Sequence, residues 1–68
     1  MKLDVDAIKH YARQAKLNGK KIAQALDTTP KHLSRIYRRE ACSFRYLGLL
    51  CKALNVTPND LLVYEDED

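Results

Sequence analysis

The 68-residue chain has no tryptophan, one phenylalanine, two glycines and two prolines. A chain this short buries only roughly 60% of the surface that it exposes when unfolded, so we expect one domain with a small aliphatic core. No segment approaches the roughly 20 consecutive apolar residues that a membrane-spanning helix needs. No apolar stretch typical of a signal peptide follows the N-terminal lysine. The composition therefore predicts a single intracellular domain.

Residues that carry chemistry are also few and scattered. The two cysteines, Cys42 and Cys51, do not form a disulfide framework, which favours a reducing compartment. Together with His10 and His32 they show no metal-ligand spacing. There is no glycine-rich phosphate loop, and no nucleophile stands beside a plausible base. We therefore expect no catalytic residues, no metal and no cofactor, and the chain is not predicted to be an enzyme.

The chain does have positive charge, and that charge is unevenly distributed. Twelve Lys and Arg against nine Asp and Glu give a net charge of +3, and residues 65–68 supply four of the nine acids. Residues 1–64 therefore carry 12 − 5 = +7, which suits a polyanionic partner. Residues 65–68 predict an acidic, disordered tail after a domain of residues 1–64. The alternatives are an intramolecular competitor for the basic face or a site for a protein partner.

Hydrophobic spacing and capping residues predict five helices. No window alternates apolar and polar residues with a period of two, so no strands are expected and the fold is predicted to be all-α. The predicted helices span residues 4–16, 19–26, 30–38, 44–54 and 58–63. Residues that favour the N-cap position stand at their starts: Asp4, Asn18, Thr29, Ser43 and Thr57.

Apolar residues at helical spacing predict the core of this bundle. The expected core side chains are Val5, Ile8, Ala12, Ala15, Ile22, Ala23, Leu26, Leu33, Ile36, Phe44, Leu47, Leu50 or Cys51, Leu54, Leu61 and Leu62. Turns and helix ends require residues that tolerate a left-handed backbone, and this conformation is expected at Asp27 and Asn55.

Residues 18–38 are predicted to form two short helices joined by a tight turn. The rest of the chain supports this segment. On the second of these helices, Lys31, Ser34, Arg35 and Arg38 lie at i, i+3, i+4 and i+7, so they project from one side. No acidic residue interrupts this stripe. A helix with one apolar edge and one basic edge has the shape and charge to enter a DNA groove.

Residues 18–38 resemble the helix-turn-helix of the lambdoid-phage repressor and Cro proteins, the Xre group of transcriptional regulators. The alanine of the family's first helix is Ala23, and the apolar residues that follow at the family's spacing are Leu33 and Ile36. Residues 50–62, LCKALNVTPNDLL, are similar to the family's closing helix pair. The resemblance covers residues 8–62. It implies a compact five-helix bundle of the phage-repressor or Cro-like DNA-binding type, with the helix-turn-helix formed by helices 2 and 3.

Five positions depart from the family pattern. Asp27 replaces the turn glycine, and aspartate is among the residues that tolerate positive φ. Gly19 stands where many members place a glutamine that holds a phosphate, and Pro30 where relatives often read a base. Ala12 and Tyr37 replace a buried arginine–glutamate pair, and losing both partners together leaves no buried charge alone.

The resemblance implies a sequence-specific regulator that binds double-stranded DNA in the cytoplasm of a bacterial cell or a phage-infected host. Its simplest form is a Cro-like repressor that occludes an operator as a homodimer, at least on DNA. The recognition helix, residues 30–38, would lie in the major groove, with base readout by Lys31, Ser34 and Arg35. Phosphate contacts are expected from residues beside the recognition helix or at helix starts: Lys20, Thr28, Thr29, Arg38, Arg39 and Arg45.

A dimer needs a further apolar surface, and the fourth helix offers a second apolar edge. The candidate residues for a dimer or partner surface are Tyr46, Gly48, Leu49, Ala53, Val63 and Tyr64. The alternative is that these side chains pack within their own chain. The alternative function is a protein-interaction module, an antirepressor or an antitoxin, that uses the same fold to bind a protein partner.

Overall fold

A computed structural model of the chain describes residues 2–63. Within this range five helices surround one core, as the sequence predicted, and they contain most of the residues. The helices are α1 (Val5–Gln14), α2 (Gly19–Ala25), α3 (Pro30–Arg39), α4 (Phe44–Leu54) and α5 (Pro58–Leu61). The predicted acidic tail, residues 65–68, lies outside the described residues, as does Tyr64.

The expectation that the chain has no strands is wrong. Strand β1 (Lys2–Leu3) pairs antiparallel with β2 (Leu62–Val63), with Lys2 opposite Val63 and Leu3 opposite Leu62. Each strand has two residues, which is too short to display the period-two alternation that marks a strand in a sequence. The pairing also ends α5 at Leu61, because Leu62 and Val63 are extended instead of helical.

The predicted N-caps are confirmed at all five helices in the described chain. In the first four, the cap oxygen accepts a hydrogen bond from the backbone N–H three residues later, at 2.8–3.2 Å. In α5 the Asp60 carboxylate accepts hydrogen bonds from the Thr57 N–H and hydroxyl, each at 3.0 Å. Because each such cap contributes about 1 kcal/mol, local sequence fixes where the helices begin.

Helix ends are marked by non-glycine residues in the left-handed conformation. The φ angles of Lys16, Asp27, Glu40 and Asn55 lie between 55° and 59°. Those of Asp27 and Asn55 were expected, and those of Lys16 and Glu40 were not. Helix α1 stops at Gln14 instead of residue 16 because Lys16 turns the chain.

The core consists of aliphatic side chains, and no polar side chain is buried within residues 2–63. Helix α2 packs against α3 and α4, and α5 packs against α1 and α4. Two core predictions are wrong: Ala15 is exposed because α1 ends before it, and Phe44 is 80% exposed. Phe44 opens α4, and exposure falls along the same stripe through Leu47 to Leu50, so Phe44 extends past the edge of the core. Leu3, which the helical pattern did not include, is buried.

Candidate nucleic-acid interface

The helix-turn-helix is fixed at both sides of its turn by local hydrogen bonds. Asn18 starts α2 by accepting a hydrogen bond from the Lys21 N–H at 2.8 Å. At the other end of α2, the Asp27 N–H donates to Gln24 at 3.0 Å and the Thr28 N–H to Ala23 at 2.9 Å. These two bonds form a Schellman motif, which satisfies carbonyls that the helix end leaves free. These hydrogen bonds therefore hold the backbone of the turn in a defined conformation, although the turn contains no glycine.

The second half of the motif begins with Thr29, whose hydroxyl accepts a hydrogen bond from the His32 N–H at 3.2 Å. Pro30 follows at the first helical position, where its missing N–H costs nothing. Ala23 in α2 is only 1% exposed, so this small side chain is part of the core against which the two helices pack. The N-cap of α3 and its packing against α2 thus fix the orientation of α3.

Helix α3 presents the two faces that its sequence predicts. Leu33 and Ile36 are buried in the core. Three predicted base-reading residues are exposed, namely Lys31, Ser34 and Arg35. The helix contains no acidic residue, and two arginines fill its last turn. The structure thus brings the three candidate readers onto one solvent-facing side of α3, although their role in reading bases stays a prediction.

The predicted phosphate-binding residues are distributed over α2, the turn, the end of α3 and the start of α4. Lys20 follows the first residue of α2, Thr28 and Thr29 form the turn, and Arg45 follows the first residue of α4. All of the six are exposed except Thr28, which is half-buried. They are Lys20, Thr28, Thr29, Arg38, Arg39 and Arg45. These positions are open to a ligand, and phosphate binding by each remains a prediction.

The candidate cations have no carboxylate partner within residues 2–63. The single ion pair of that range joins Lys2 Nζ and Glu40 Oε2 at 3.7 Å, and both side chains are about half exposed. Glu40 lies immediately after α3, yet it pairs with β1 and not with Arg38 or Arg39. An anion approaching α3 therefore meets positive charge that no carboxylate of the described chain neutralises.

The candidate partner surface on α4 packs in part against other residues of the same chain. Tyr46 and Leu49 are half-buried and pack against the core, and the Tyr46 ring meets the His32 ring edge-on at 5.7 Å between centroids. Ala53 is half-buried, and a Cβ added to Gly48 would meet no atom within 4 Å. Part of the surface of Tyr46, Leu49 and Ala53, and the position of Gly48, therefore remain open to a partner. Val63 lies apart from α4, in β2, and Tyr64 is not described.

One groove was not anticipated by the sequence. Between α1, α2 and α3 lies an open groove of about 350 Å³, which Ala12, Arg13, Ile22 and Tyr37 help to line. The Lys9 ammonium stands 5.7 Å from the centre of the Tyr37 ring, and burial raises the pKa of the Tyr37 phenol above its usual value. Ala12 and Tyr37 thus line the same groove, as expected for two residues that replace an interacting pair. The small side chain of Ala12 leaves space beside the Tyr37 ring.

The cysteines offer no activated nucleophile. Burial raises the pKa of the Cys42 thiol above its usual value, and the charge of Cys51 raises it further. Burial also raises the pKa of the Cys51 thiol, and Asp60 adds to the effect. A raised pKa leaves less of the reactive thiolate at neutral pH. Arg38 and Arg39, which are near Cys42 in the sequence, are not among the groups that shift its pKa.

Two further features are absent from residues 2–63. No group of three or more histidine, cysteine, aspartate or glutamate side chains is arranged to hold a metal ion there. No helix of that range is long and apolar enough to cross a membrane.

Comparison with known proteins finds similarity to a family of domains. The family model described as a Cro/C1-type HTH DNA-binding domain matches residues 7–67. No curated protein and no solved structure matches the chain. The matched range contains α2, the turn and α3, as well as every candidate contact residue.

Proposed function

Because the chain belongs to the family of Cro/C1-type helix-turn-helix DNA-binding domains, we propose that it is a sequence-specific transcriptional regulator that binds double-stranded DNA. The observation that carries this proposal is the outer face of α3, which is exposed, basic and free of acidic residues. Residues 1–64 would form the DNA-binding domain, and the protein would act where its DNA is, in the cytoplasm.

Helix α3 is the recognition helix of this proposal and enters the major groove. Lys31 and Arg35 hydrogen-bond guanine O6 and N7, and each good pair discriminates against a wrong base by about 1–3 kcal/mol. Ser34 lies between them on the same face and can donate to or accept from a base. Pro30 contributes no polar group at the start of the helix, so specificity rests on these three side chains.

Phosphate contacts hold α3 in register and carry no sequence information themselves. Lys20, Arg38, Arg39 and Arg45 supply exposed positive charge on α2, at the end of α3 and at the start of α4. Thr28 and Thr29 supply hydroxyls at the turn. The Thr29 hydroxyl already accepts a hydrogen bond from His32, which leaves its own proton free to donate to a phosphate oxygen.

A single recognition helix reads few base pairs, so the proposed active form on DNA is a homodimer on two half-sites about 34 Å apart. The half-exposed apolar edge of α4, formed by Tyr46, Leu49 and Ala53, supports a contact between the two copies. A dimer of this size on an operator represses most simply by occluding the site from other proteins.

The half-exposed edge of α4 also supports the second candidate, a protein-interaction module that acts as an antirepressor or antitoxin. The two candidates differ in how they respond to salt. Titration with random-sequence duplex DNA between 50 and 200 mM salt should give a log–log slope of about −5 if six phosphate contacts form. A slope near zero would exclude the DNA-binding proposal and favour the protein module.

Selection of bound duplexes from a random pool then tests sequence specificity. The expected result is an operator with two similar half-sites, because a two-fold symmetric dimer imposes its symmetry on the DNA. Recovery of sequences with no shared motif would contradict base readout by α3.

A further inference from the structure

Opposite charges are concentrated in two places that lie within reach of each other. Residues 65–68, with the sequence EDED, are all acidic, whereas residues 1–64 carry 12 − 5 = +7. Arg38 and Arg39 are exposed in the last turn of α3 and have no carboxylate partner within residues 2–63. The attachment point of the acidic residues decides whether the two can meet.

The small sheet sets that attachment point beside the end of α3. Val63 lies opposite Lys2 in the antiparallel pair, and neighbouring strands stand about 4.8 Å apart. Lys2 Nζ is 3.7 Å from Glu40 Oε2, and the Leu3 N–H donates to the Glu40 carbonyl at 2.8 Å. Val63 also lines one groove together with Glu40 and Tyr37. The chain therefore leaves the described structure next to the C-terminal end of α3.

The distance that residues 64–68 must span, from Val63 to the arginines at the end of α3, is short. Five residues follow Val63, and an extended chain covers at most about 3.6 Å per residue. Residues 64–68 can therefore extend at most about 18 Å. Arg39 immediately precedes Glu40, and each earlier residue of α3 is only about 1.5 Å further along the helix axis.

We propose that residues 65–68 dock on the basic end of α3, at Arg38 and Arg39, and compete there with the DNA backbone. The sign of the charge, the attachment at Val63 and the short tether all favour this occupant. The inference rests on the proposed DNA binding by α3. A short tether gives an effective concentration in the millimolar range, so a contact that would have a millimolar dissociation constant between separate molecules is already about half occupied. Since these arginines contact phosphates and not bases, the competition lowers affinity for all DNA sequences alike.

The docking is tested first in the DNA-free protein, so this measurement does not depend on the proposed function. The variant Glu65→Gln/Asp66→Asn/Glu67→Gln/Asp68→Asn keeps the chain length and removes the four charges. Nuclear magnetic resonance should show shifted backbone and side-chain Nε signals at Arg38 and Arg39. High salt should move the same signals in the natural chain, because it screens exposed charges. Unchanged arginine signals in the variant overturn the proposal.

The competition is tested by a double-mutant cycle on random-sequence duplex DNA. At low salt the neutralised variant should bind about threefold to tenfold more tightly than the natural chain, as expected for a few exposed ion pairs. The matched background is Arg38→Gln/Arg39→Gln, in which the same neutralisation should bring almost no gain. An equal gain in both backgrounds would show general repulsion between the acidic residues and DNA, and it would overturn docking on α3. No gain in the natural background would overturn the competition.

Discussion

Three neighbouring side chains set what the proposed interface can recognise. Lys31 and Arg35 stand about one helical turn apart on the exposed face of α3, with Ser34 between them. Arginine carries a planar, bidentate donor pair, whereas lysine carries a point charge on a flexible stem. Arg35 is therefore the most selective donor of the three, and its loss is the sharpest test at the scale of a residue.

We expect Arg35→Ala to weaken binding to the selected operator by about 1–3 kcal/mol, because a bidentate contact with guanine is lost. The melting temperature should hardly change, since Arg35 is exposed and surface substitutions usually alter stability by less than about 0.5 kcal/mol. Binding titrations on operator and on random-sequence DNA, together with thermal unfolding, measure both effects.

The matched control is Arg45→Ala, which removes a predicted phosphate contact instead of a base contact. It should weaken operator and random-sequence DNA equally and reduce the salt slope by about 1. If Arg35→Ala also weakens both kinds of DNA equally, Arg35 is a phosphate contact and does not read a base.

The helices are defined at their two ends by different kinds of residue. Their starts carry side-chain caps that the sequence shows directly, such as Asn18 and Thr29. The left-handed residues after α1 and α3 are Lys16 and Glu40, neither of which favours that conformation. Side chains other than glycine, asparagine and aspartate pay roughly 1–2 kcal/mol there. Replacing such a residue with glycine should therefore stabilise the protein.

At the element scale, Lys16→Gly should stabilise the protein by about 0.5–1 kcal/mol. Glycine avoids the left-handed penalty at φ 59°, and part of this gain is lost to the greater freedom of glycine in the unfolded chain. For a domain of this size the melting temperature should rise by about 2–8 °C, measured by circular dichroism.

Two variants separate the backbone effect from other effects. Lys16→Ala removes the charge but keeps Cβ, so it should leave the melting temperature nearly unchanged. Asn55→Gly tests the same conformation at φ 57°, and its gain should be smaller because asparagine tolerates positive φ. A stabilisation of Lys16→Ala equal to that of Lys16→Gly would refute the backbone explanation.

At the scale of the whole molecule, the proposed dimer explains a glycine that the single chain does not need. Gly48 lies in the middle of α4 with a negative φ, and open space surrounds the place where a Cβ would stand. A glycine inside a helix costs about 1 kcal/mol relative to alanine. Close approach of a second chain would account for this cost.

Gly48→Ala should therefore have opposite effects on the single chain and on the dimer. The monomer should gain about 1 kcal/mol from helix propensity, whereas association should weaken because the added methyl group enters the interface. Sedimentation measures association, on DNA and in free solution, and thermal unfolding at low concentration measures the monomer. Lys52→Ala, an exposed change on the same helix, is the control and should alter neither. Unchanged association in Gly48→Ala would exclude this surface from a dimer.

Most of the fold followed from local signals along the chain. The helix starts at Asn18, Thr29 and Ser43 are confirmed because capping depends on only four consecutive residues. The buried stripes of α2 and α3 are confirmed because 3.6-residue periodicity is also local. Phe44 is the informative failure: it fits the stripe of α4, but only the position of the core's edge determines that it is 80% exposed.

The sequence by itself determined the five helices, the turn at Asp27 and the basic face of α3, because each depends on residues within one or two helical turns. It also established the charge of the chain and the resemblance to the Cro/C1-type family, which the family match confirms. It did not determine the roles of single side chains in DNA binding, which remain predictions.

Only the tertiary structure decided what residues far apart in the chain do together. It paired Leu3 with Leu62 and bonded β1 to Glu40, and it placed Tyr46 against His32. It also brought Val63 close to Glu40, at the end of α3. No local pattern encodes these contacts, because each forms only when the shared hydrophobic core brings separate elements together.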